Sequence, residues 1–399
     1  MICLVTTSFV LGANEFIMMG ILPDIARGLH IPQVLVGNLV SLFAAVYAVA
    51  CPLVAAFSAR FPRKKVYISM VGIFLVGNAL SGFASNYALL ALSRMIVALV
   101  AGALVAVGMT FAAQVTEQAT RTRFMAWVFS GFSLASVFGV PAGTWLAQTL
   151  GWRWAFHAIT VITVILIVVD CAVLPASTRT SSVSILRQFL LFSDLRIVFG
   201  CLCVICGAAA TYVFYTYITP ILTSFAGVRE AQVSLVLVVF GLMALFSNLY
   251  SGVLARKGSI EQPLGHMWGW YAAQMCALLL LSLACFVARS QASLWAHIVV
   301  LVVVMALGLL MYLQNSPSQI CYVDSAAQTH PGSLNLSNSL NSMSFNTGIA
   351  LGAGVSGVGY SHWGLVALGA WGALFALGAA LSSLALLQIG SAYRRQRVH

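Results

Sequence analysis

Charge is nearly missing from this sequence. Only 7% of its 399 residues are Asp, Glu, Lys or Arg, where a soluble domain carries about 25%. No stretch of ordinary polarity is long enough to form a water-soluble domain. Acidic residues are scarcest, eight in all against 19 Lys and Arg. The phosphate-cradling loop G-x-x-x-x-G-K-[ST] is absent, so nucleotide hydrolysis by this chain is excluded as an energy source. No cysteine pair has zinc-ribbon spacing. The nine cysteines lie almost entirely in apolar runs, and Cys201, Cys203 and Cys206 read as small buried hydrophobes rather than disulfide partners or metal ligands. His157, His266, His297 and His330 are scattered without metal-ligand spacing. Met1 leads straight into an apolar run, without a basic leader or small-residue cleavage site, so no cleavable signal is expected.

What is present is grease. Hydrophobic residues make up 61% and the mean hydropathy is +1.00. A helix needs about 20 apolar residues to cross the hydrocarbon layer, and a spanning backbone must satisfy its own hydrogen bonds. The apolar runs predict helices at roughly 2–22, 37–57, 66–84, 87–113, 124–147 and 154–174, then at 197–222, 231–255, 263–287, 294–314, 335–359 and 364–388. The expected architecture is all-α with twelve spans: a six-helix bundle over 1–174, a cytoplasmic linker over 175–196, and a second six-helix bundle with a short basic tail over 197–399. Fourteen of the 19 Lys and Arg residues fall on one side of this arrangement and four on the other, with Arg94 inside a span. The positive-inside rule then makes both termini and the linker cytoplasmic, and reads the net charge of +11 as a topology signal rather than a nucleic-acid surface.

The halves echo each other. Ala-Arg-Phe-Pro-Arg-Lys-Lys (59–65) follows the second span, and Ala-Arg-Lys-Gly (255–258) follows the eighth, about 196 residues later. Duplicated six-helix units mark a large class of secondary transporter whose solute site lies near the midplane.

Specific runs carry a resemblance. Asn14-Glu15-Phe16 with Gly20, Leu22, Pro23 and Asp24 in the first span, the loop Arg60-Phe61-Pro62-Arg63-Lys64-Lys65, Ser93-Arg94-Met95, the Gly131–Trp145 run with Gly139, Pro141 and Gly143, and Gly151-Trp152-Arg153-Trp154 occur in family order. Tyr217-Ile-Thr-Pro220 and Ser344-Phe-Asn346-Thr-Gly348 continue it in the second half. Together they resemble the major facilitator superfamily, and within it the twelve-span proton antiporters that export drugs, sugars or purines. The loop departs from the family pattern, with Ala59 where Asp is usual and Pro62 where Gly is usual.

Glu15 is the one acidic residue well inside a span of the first half, and a carboxylate in hydrocarbon costs on the order of 3 kcal/mol. Arg94 lies at similar depth, about 10 Å below the outer surface by the helical rise. The pair reads either as a proton-coupling carboxyl tuned by a cation or as a static ion pair stapling the first bundle. Asp170, a turn from the inner end of the sixth span, reads as a carboxylate snorkelling to the interface. Gly131, Ala135, Gly139 and Gly143 form a smooth stripe for close helix contact, beside a Pro141 bend. The resemblance implies that this stripe meets a span of the other half and seals the cavity. It also implies an anchoring role for Arg60, Arg63, Lys64 and Lys65. Candidate solute contacts are Asn14, Tyr212, Tyr215, Tyr217, Tyr312, Gln314, Asn341 and Asn346, with Asn335 and Asn338 in the same Asn-rich run. Rings with a few oriented polar groups suit a small amphipathic or heterocyclic solute.

The expected function is proton-coupled efflux of a small molecule through a bacterial inner membrane, by a monomer that uses the proton gradient and needs no metal or cofactor. A proton-independent facilitator or importer, or a non-transporting sensor on the same scaffold, are the alternatives. A membrane-embedded enzyme is not expected, since H-E-x-x-H and G-x-S-x-G are absent and no acidic cluster lies at depth.

Overall fold

A computed structural model describes residues 2–58, 61–115, 128, 130–174, 189–256, 261–290, 294–329 and 334–398. Among them the regular structure is helical throughout. The helices are α1 (Ile2–Leu29), α2 (Gln33–Ser58), α3 (Arg63–Gly82), α4 (Tyr87–Val115), α5 (Val140–Leu150), α6 (Trp152–Val173), α7 (Leu195–Tyr215), α8 (Ile218–Phe225), α9 (Glu230–Arg256), α10 (Glu261–Ser290), α11 (Leu294–Leu310), α12 (Asn315–Thr329), α13 (Leu334–Trp363) and α14 (Leu368–Val398). Among the described residues, ten stretches are long and apolar enough to cross a membrane. The expected fifth span is divided by a widened π-turn at Ala135–Gly139, and the eleventh, α13, is diluted by Asn, Ser and Gly.

The boundaries have local causes. Pro62 stands extended just before α3, where its ring restrains the chain and no donor is lost. Gly151, at φ 102°, makes the sharp entry to α6 that a side chain would strain. Asp194 caps α7 by accepting from the Arg196 amide at 2.9 Å. The π-turn lies directly before Pro141, which has no N–H to give the Val137 carbonyl, so the ladder widens there.

Packing divides the chain into two units. The first gathers Met1–Ser182 with Ile218–Thr223 and Val228–Leu242; the second gathers Val183–Tyr217, Ser224–Gly227 and Met243–His399. In the first unit α1 is the central helix, packed on α5 and α6, while α4 packs on α2 and α3. In the second unit α7 is central, against α13 and α14. Each central helix meets a run of glycines. A Cβ at Gly139 would stand 2.7 Å from the Ala13 Cβ of α1, and one at Gly131 would meet the Val5 carbonyl. Likewise a Cβ at Gly348 would stand 2.6 Å from the Ala208 Cβ of α7, and one at Gly352 2.9 Å from the Ala209 Cα. Close approach of backbones, without a lipid-versus-protein hydrophobic difference, is how membrane helices associate. On the outward face of α6, Val161, Ile165 and Val168 are 58–66% exposed, as a lipid-facing surface requires.

Candidate functional site

The first unit concentrates its buried polarity where four helices meet. Arg94 of α4 is 1% exposed. Its Nη1 donates to Asn14 Oδ1 at 2.8 Å and its Nη2 to the Asn14 backbone carbonyl at 3.1 Å. Its guanidinium lies 4.4 Å from the centre of the Phe43 ring of α2, a cation–π contact. Asn14 Nδ2 in turn donates to Asn78 Oδ1 of α3, whose own amide donates to the Phe74 carbonyl at 2.8 Å. The cation is therefore held by an amide and a ring.

Glu15 follows Asn14 on α1, is half-buried, and lies within electrostatic reach of Arg94 and of Tyr47 of α2. It makes no hydrogen bond or ion pair with any described residue. Asn14 thus anchors Arg94, a role that only the static ion-pair alternative of the sequence reading gave to Glu15. Asn78 and Phe43 were missed there, because a single amide or ring in an apolar run carries no periodic signal.

At the opposite end of α1 from its first residue, Arg27 pairs with Asp24 at 2.6 Å and with Glu230 of α9 at 2.9 Å. Gln148 Nε2 of α5 donates to the Glu230 carbonyl at 2.8 Å. These residues all belong to the first unit.

The seventh and tenth spans have a different construction: each is a broken helix. The seventh span turns at Thr216–Tyr217 between α7 and α8, four residues before Pro220, which cannot donate to the Thr216 carbonyl. The tenth span opens at Met311–Gln314, which holds Leu313, four residues before the α12 proline, Pro317. Freed amides at this second break are taken up by α9: Ser247 Oγ accepts from the Tyr312 N–H and Ser251 Oγ from the Ser316 N–H, both at 2.9 Å. Such breaks are tolerated at membrane depth where neighbouring helices satisfy the freed groups.

A ladder of amides crosses beside the break. Asn341 Nδ2 of α13 donates to Asn315 Oδ1 at 2.6 Å, and Asn315 Nδ2 donates to Asn248 Oδ1 of α9 at 3.1 Å. Asn341 Oδ1 and Asn346 Oδ1 are buried acceptors with no hydrogen-bond donor among the described residues. One turn along α13 from Asn341, Phe345 stacks on Tyr312 with ring centres 5.8 Å apart and meets the edge of Tyr212 at the same distance. Tyr215 lies against Tyr212 at 5.5 Å. Four of the expected solute contacts, Tyr212, Tyr215, Tyr312 and Asn341, are thereby brought into one cluster. Gln314 bonds the Met311 carbonyl at 3.0 Å within the break. Tyr217 lies on Tyr360 at 5.0 Å instead, and Asn14 belongs to the Arg94 site. Asn335 and Asn338 have no described side chains.

The sequence from residue 4 to residue 335 matches the model of the Major Facilitator Superfamily. The chain belongs to that superfamily. As a major facilitator it is a multi-pass membrane transporter by family, not an enzyme. It is 31% identical to the inner membrane transport protein YdhP of Escherichia coli (strain K12), over 99% of this chain and 96% of that protein. It is 28% identical to the MFS-type transporter YtbD of Bacillus subtilis (strain 168), over 96% and 93% of the two chains. A chloramphenicol resistance protein of Streptomyces lividans is 28% identical over 67% of this chain and 70% of its own length.

The remaining expected residues take these places in the transporter. The stripe of Gly131, Ala135, Gly139 and Gly143 faces α1 of the same unit. The contact with another helix near the π-turn comes from the neighbouring face, where a Cβ at Gly241 of α9 would stand 2.8 Å from the Val137 Cα. Arg63, Lys64 and Lys65 open α3, and Lys64 Nζ donates to the Cys171 carbonyl at the end of α6 at 2.9 Å. Arg60 lies outside the described residues. Asp170, read as a snorkelling group, is 0% exposed: its face of α6 turns toward α3 rather than toward the interface. The described residues contain no cluster of His, Cys, Asp and Glu suited to a metal ion.

Proposed function

We propose that this major facilitator is a proton-coupled exporter of a small neutral or cationic amphipathic molecule in a bacterial inner membrane, with both termini cytoplasmic. The observation that carries the reading is Glu15: a half-buried carboxyl in mid-helix, beside a fixed guanidinium yet bonded to nothing described. A carboxyl in that setting can take up and release a proton without breaking a packed ion pair, and intramembrane ionisable groups are functional by default. Arg94, held by Asn14, sets the field in which it does so. Solute would be met by Tyr212, Tyr215, Tyr312, Asn341 and Asn346, where rings and unused amide acceptors suit a flat solute carrying hydrogen-bond donors. The similarity to YdhP, an inner membrane protein by name, and to a chloramphenicol resistance protein supports export and makes chloramphenicol the first solute to try.

The test uses proteoliposomes with an imposed pH gradient. Wild type is expected to drive chloramphenicol, or a purine or sugar analogue from the same panel, uphill against its gradient. Glu15→Gln should still bind the solute and exchange it passively while losing gradient-driven accumulation. Undiminished accumulation by Glu15→Gln removes the coupling role, and flux that ignores the pH gradient in wild type makes the chain a facilitator.

A further inference from the structure

A second carboxyl of the first unit is buried more deeply than Glu15, and nothing in the proposed transport reading uses it. Asp170 lies on α6, four residues before its last turn gives way at Leu174, and is 0% exposed. Among the described residues, neither of its buried carboxyl oxygens has a hydrogen-bond partner. Lys64 Nζ of α3 donates to the carbonyl of the next residue, Cys171, at 2.9 Å. Tyr67 of α3, within electrostatic reach of Asp170, donates its hydroxyl to Thr7 Oγ1 of α1 at 3.1 Å. Thr7 Oγ1 donates to the Cys3 carbonyl at 3.0 Å. Thr163, two turns back on α6, donates to the Ile159 carbonyl at 2.7 Å. Cys3 of α1 is a further titratable neighbour of Tyr67.

An ionised carboxylate stripped of water, donors and counter-ion is not sustained in a protein interior; such a group keeps its proton instead. The C-terminal end of α6 adds negative backbone charge next to it, which disfavours a second negative charge further. We propose that Asp170 is a second proton-binding site of this transporter, holding a neutral carboxylic acid while α3 and α6 are packed as here. Release of the proton to water leaves a carboxylate that needs donors which this packing does not give it. The inference stands on burial and on two carboxyl oxygens without a partner among the described residues, and does not depend on Glu15 being the coupling group.

The full-length protein in lipid nanodiscs, labelled with carbon-13 at the aspartate side-chain carboxyl, tests it by infrared spectroscopy at neutral pH. A protonated-carboxyl band that moves on labelling is expected in wild type, lost in Asp170→Asn and retained in Glu15→Gln. Of the other aspartates, Asp24 and Asp194 are ion-paired with Arg27 and Arg196, and Asp324→Asn should leave the band in place. Should Asp170→Asn not fold, labelled wild type still decides: no label-sensitive protonated carboxyl overturns the proposal. A label-sensitive band that survives in folded Asp170→Asn overturns it equally. Loss of accumulation in Glu15→Gln with the aspartate band intact separates this site from the transport reading.

Discussion

Removing the Asn14 side chain should destabilise the transporter far more than neutralising Glu15. In the folded chain Asn14 Oδ1 takes a charged hydrogen bond from Arg94 at 2.8 Å, and Asn14 Nδ2 gives one to Asn78. A hydrogen bond to a charged group contributes about 1.5–3 kcal/mol and a neutral one about 0.5–1.5 kcal/mol. Asn14→Ala removes both, and leaves Arg94 at 1% exposure with only one backbone carbonyl and the Phe43 ring. The sum is about 2–4.5 kcal/mol, and interhelical bonds in membranes average lower because the unfolded helices find other partners, so about 2 kcal/mol is expected. Glu15→Gln removes no hydrogen bond and no ion pair among the described residues, and should change stability by less than about 0.5 kcal/mol.

Equilibrium unfolding in mixed micelles, with denaturing detergent as the variable, measures both in one series. Two results would refute the reasoning: equal losses for the two substitutions, which would mean that Arg94 leans on Glu15, or a loss below about 0.5 kcal/mol for Asn14→Ala, which would mean that the guanidinium finds other acceptors at no cost.

Gly131→Ala should destabilise more than Gly143→Ala, although the second clash is the nearer. The new methyl at 131 meets the Val5 backbone carbonyl of α1, which cannot retreat, while the one at 143 meets the tip of Ile17, which can change rotamer; the same unfolding assay should show about 2 kcal/mol between them. At the N-terminus of α7, the Asp194–Arg196 pair at 2.7 Å, with 6% and 11% of its side chains exposed, is tied to α12 through Gln328 and Thr329. Burial pushes the Asp194 carboxyl up, but the hydrogen bonds and charge of Arg196 outweigh it and hold it below its ordinary value of 3.8. Its stabilisation is therefore complete above that value and lost as pH falls through the lower, folded one; Asp194→Ala should cost about 3 kcal/mol at neutral pH and flatten the acid limb of the stability profile. Asn315→Ala takes one donor from Asn248 Oδ1 and the acceptor from Asn341 Nδ2, so solute half-saturation in the transport assay should rise about tenfold with an unchanged pH dependence; an unchanged half-saturation would reduce the ladder to a brace for the broken helix.

The helices were legible because hydrocarbon leaves the backbone no choice: any run of about 20 apolar residues must close its own hydrogen bonds. The repeat was legible as well, from loops 196 residues apart. What the sequence could not reveal is where a ladder breaks and who repairs it. Pro220 and Pro317 are visible as prolines, but Ser247 and Ser251 become caps for the tenth span only because a neighbouring helix is cut beside them. The same holds for the partner of Arg94. Equal depth along two helices is arithmetic, whereas the choice between Asn14 and Glu15 is a rotation of 100° about α1 that no count of residues supplies. Asp170 was misplaced for that reason too: proximity to a helix end says nothing about which face looks outward.

The duplication persists in the polar joints, and its divergence is informative. Asn78 of α3 bonds Asn14 of α1, and Gln274 of α10, 196 residues after Asn78, bonds Thr211 of α7 at 2.8 Å. The third helix of each repeat thus fixes the first by one amide. Beyond that shared joint the repeats part ways. The first unit places a guanidinium and, beside it, a carboxyl bonded to no described residue; the second places the broken tenth span, a neutral amide ladder and stacked rings. A duplicated bundle has no need of this asymmetry for stability, since the glycine-to-central-helix contact serves both halves alike. Under the proposed function the asymmetry has a cause: groups that handle protons must be ionisable and dry, while groups that grip a neutral or cationic ring must not compete for that proton. Separating them on two copies of one scaffold lets each be altered without disturbing the other, so under the proposed function a substitution in the ring and amide cluster should change solute preference and leave proton coupling in place.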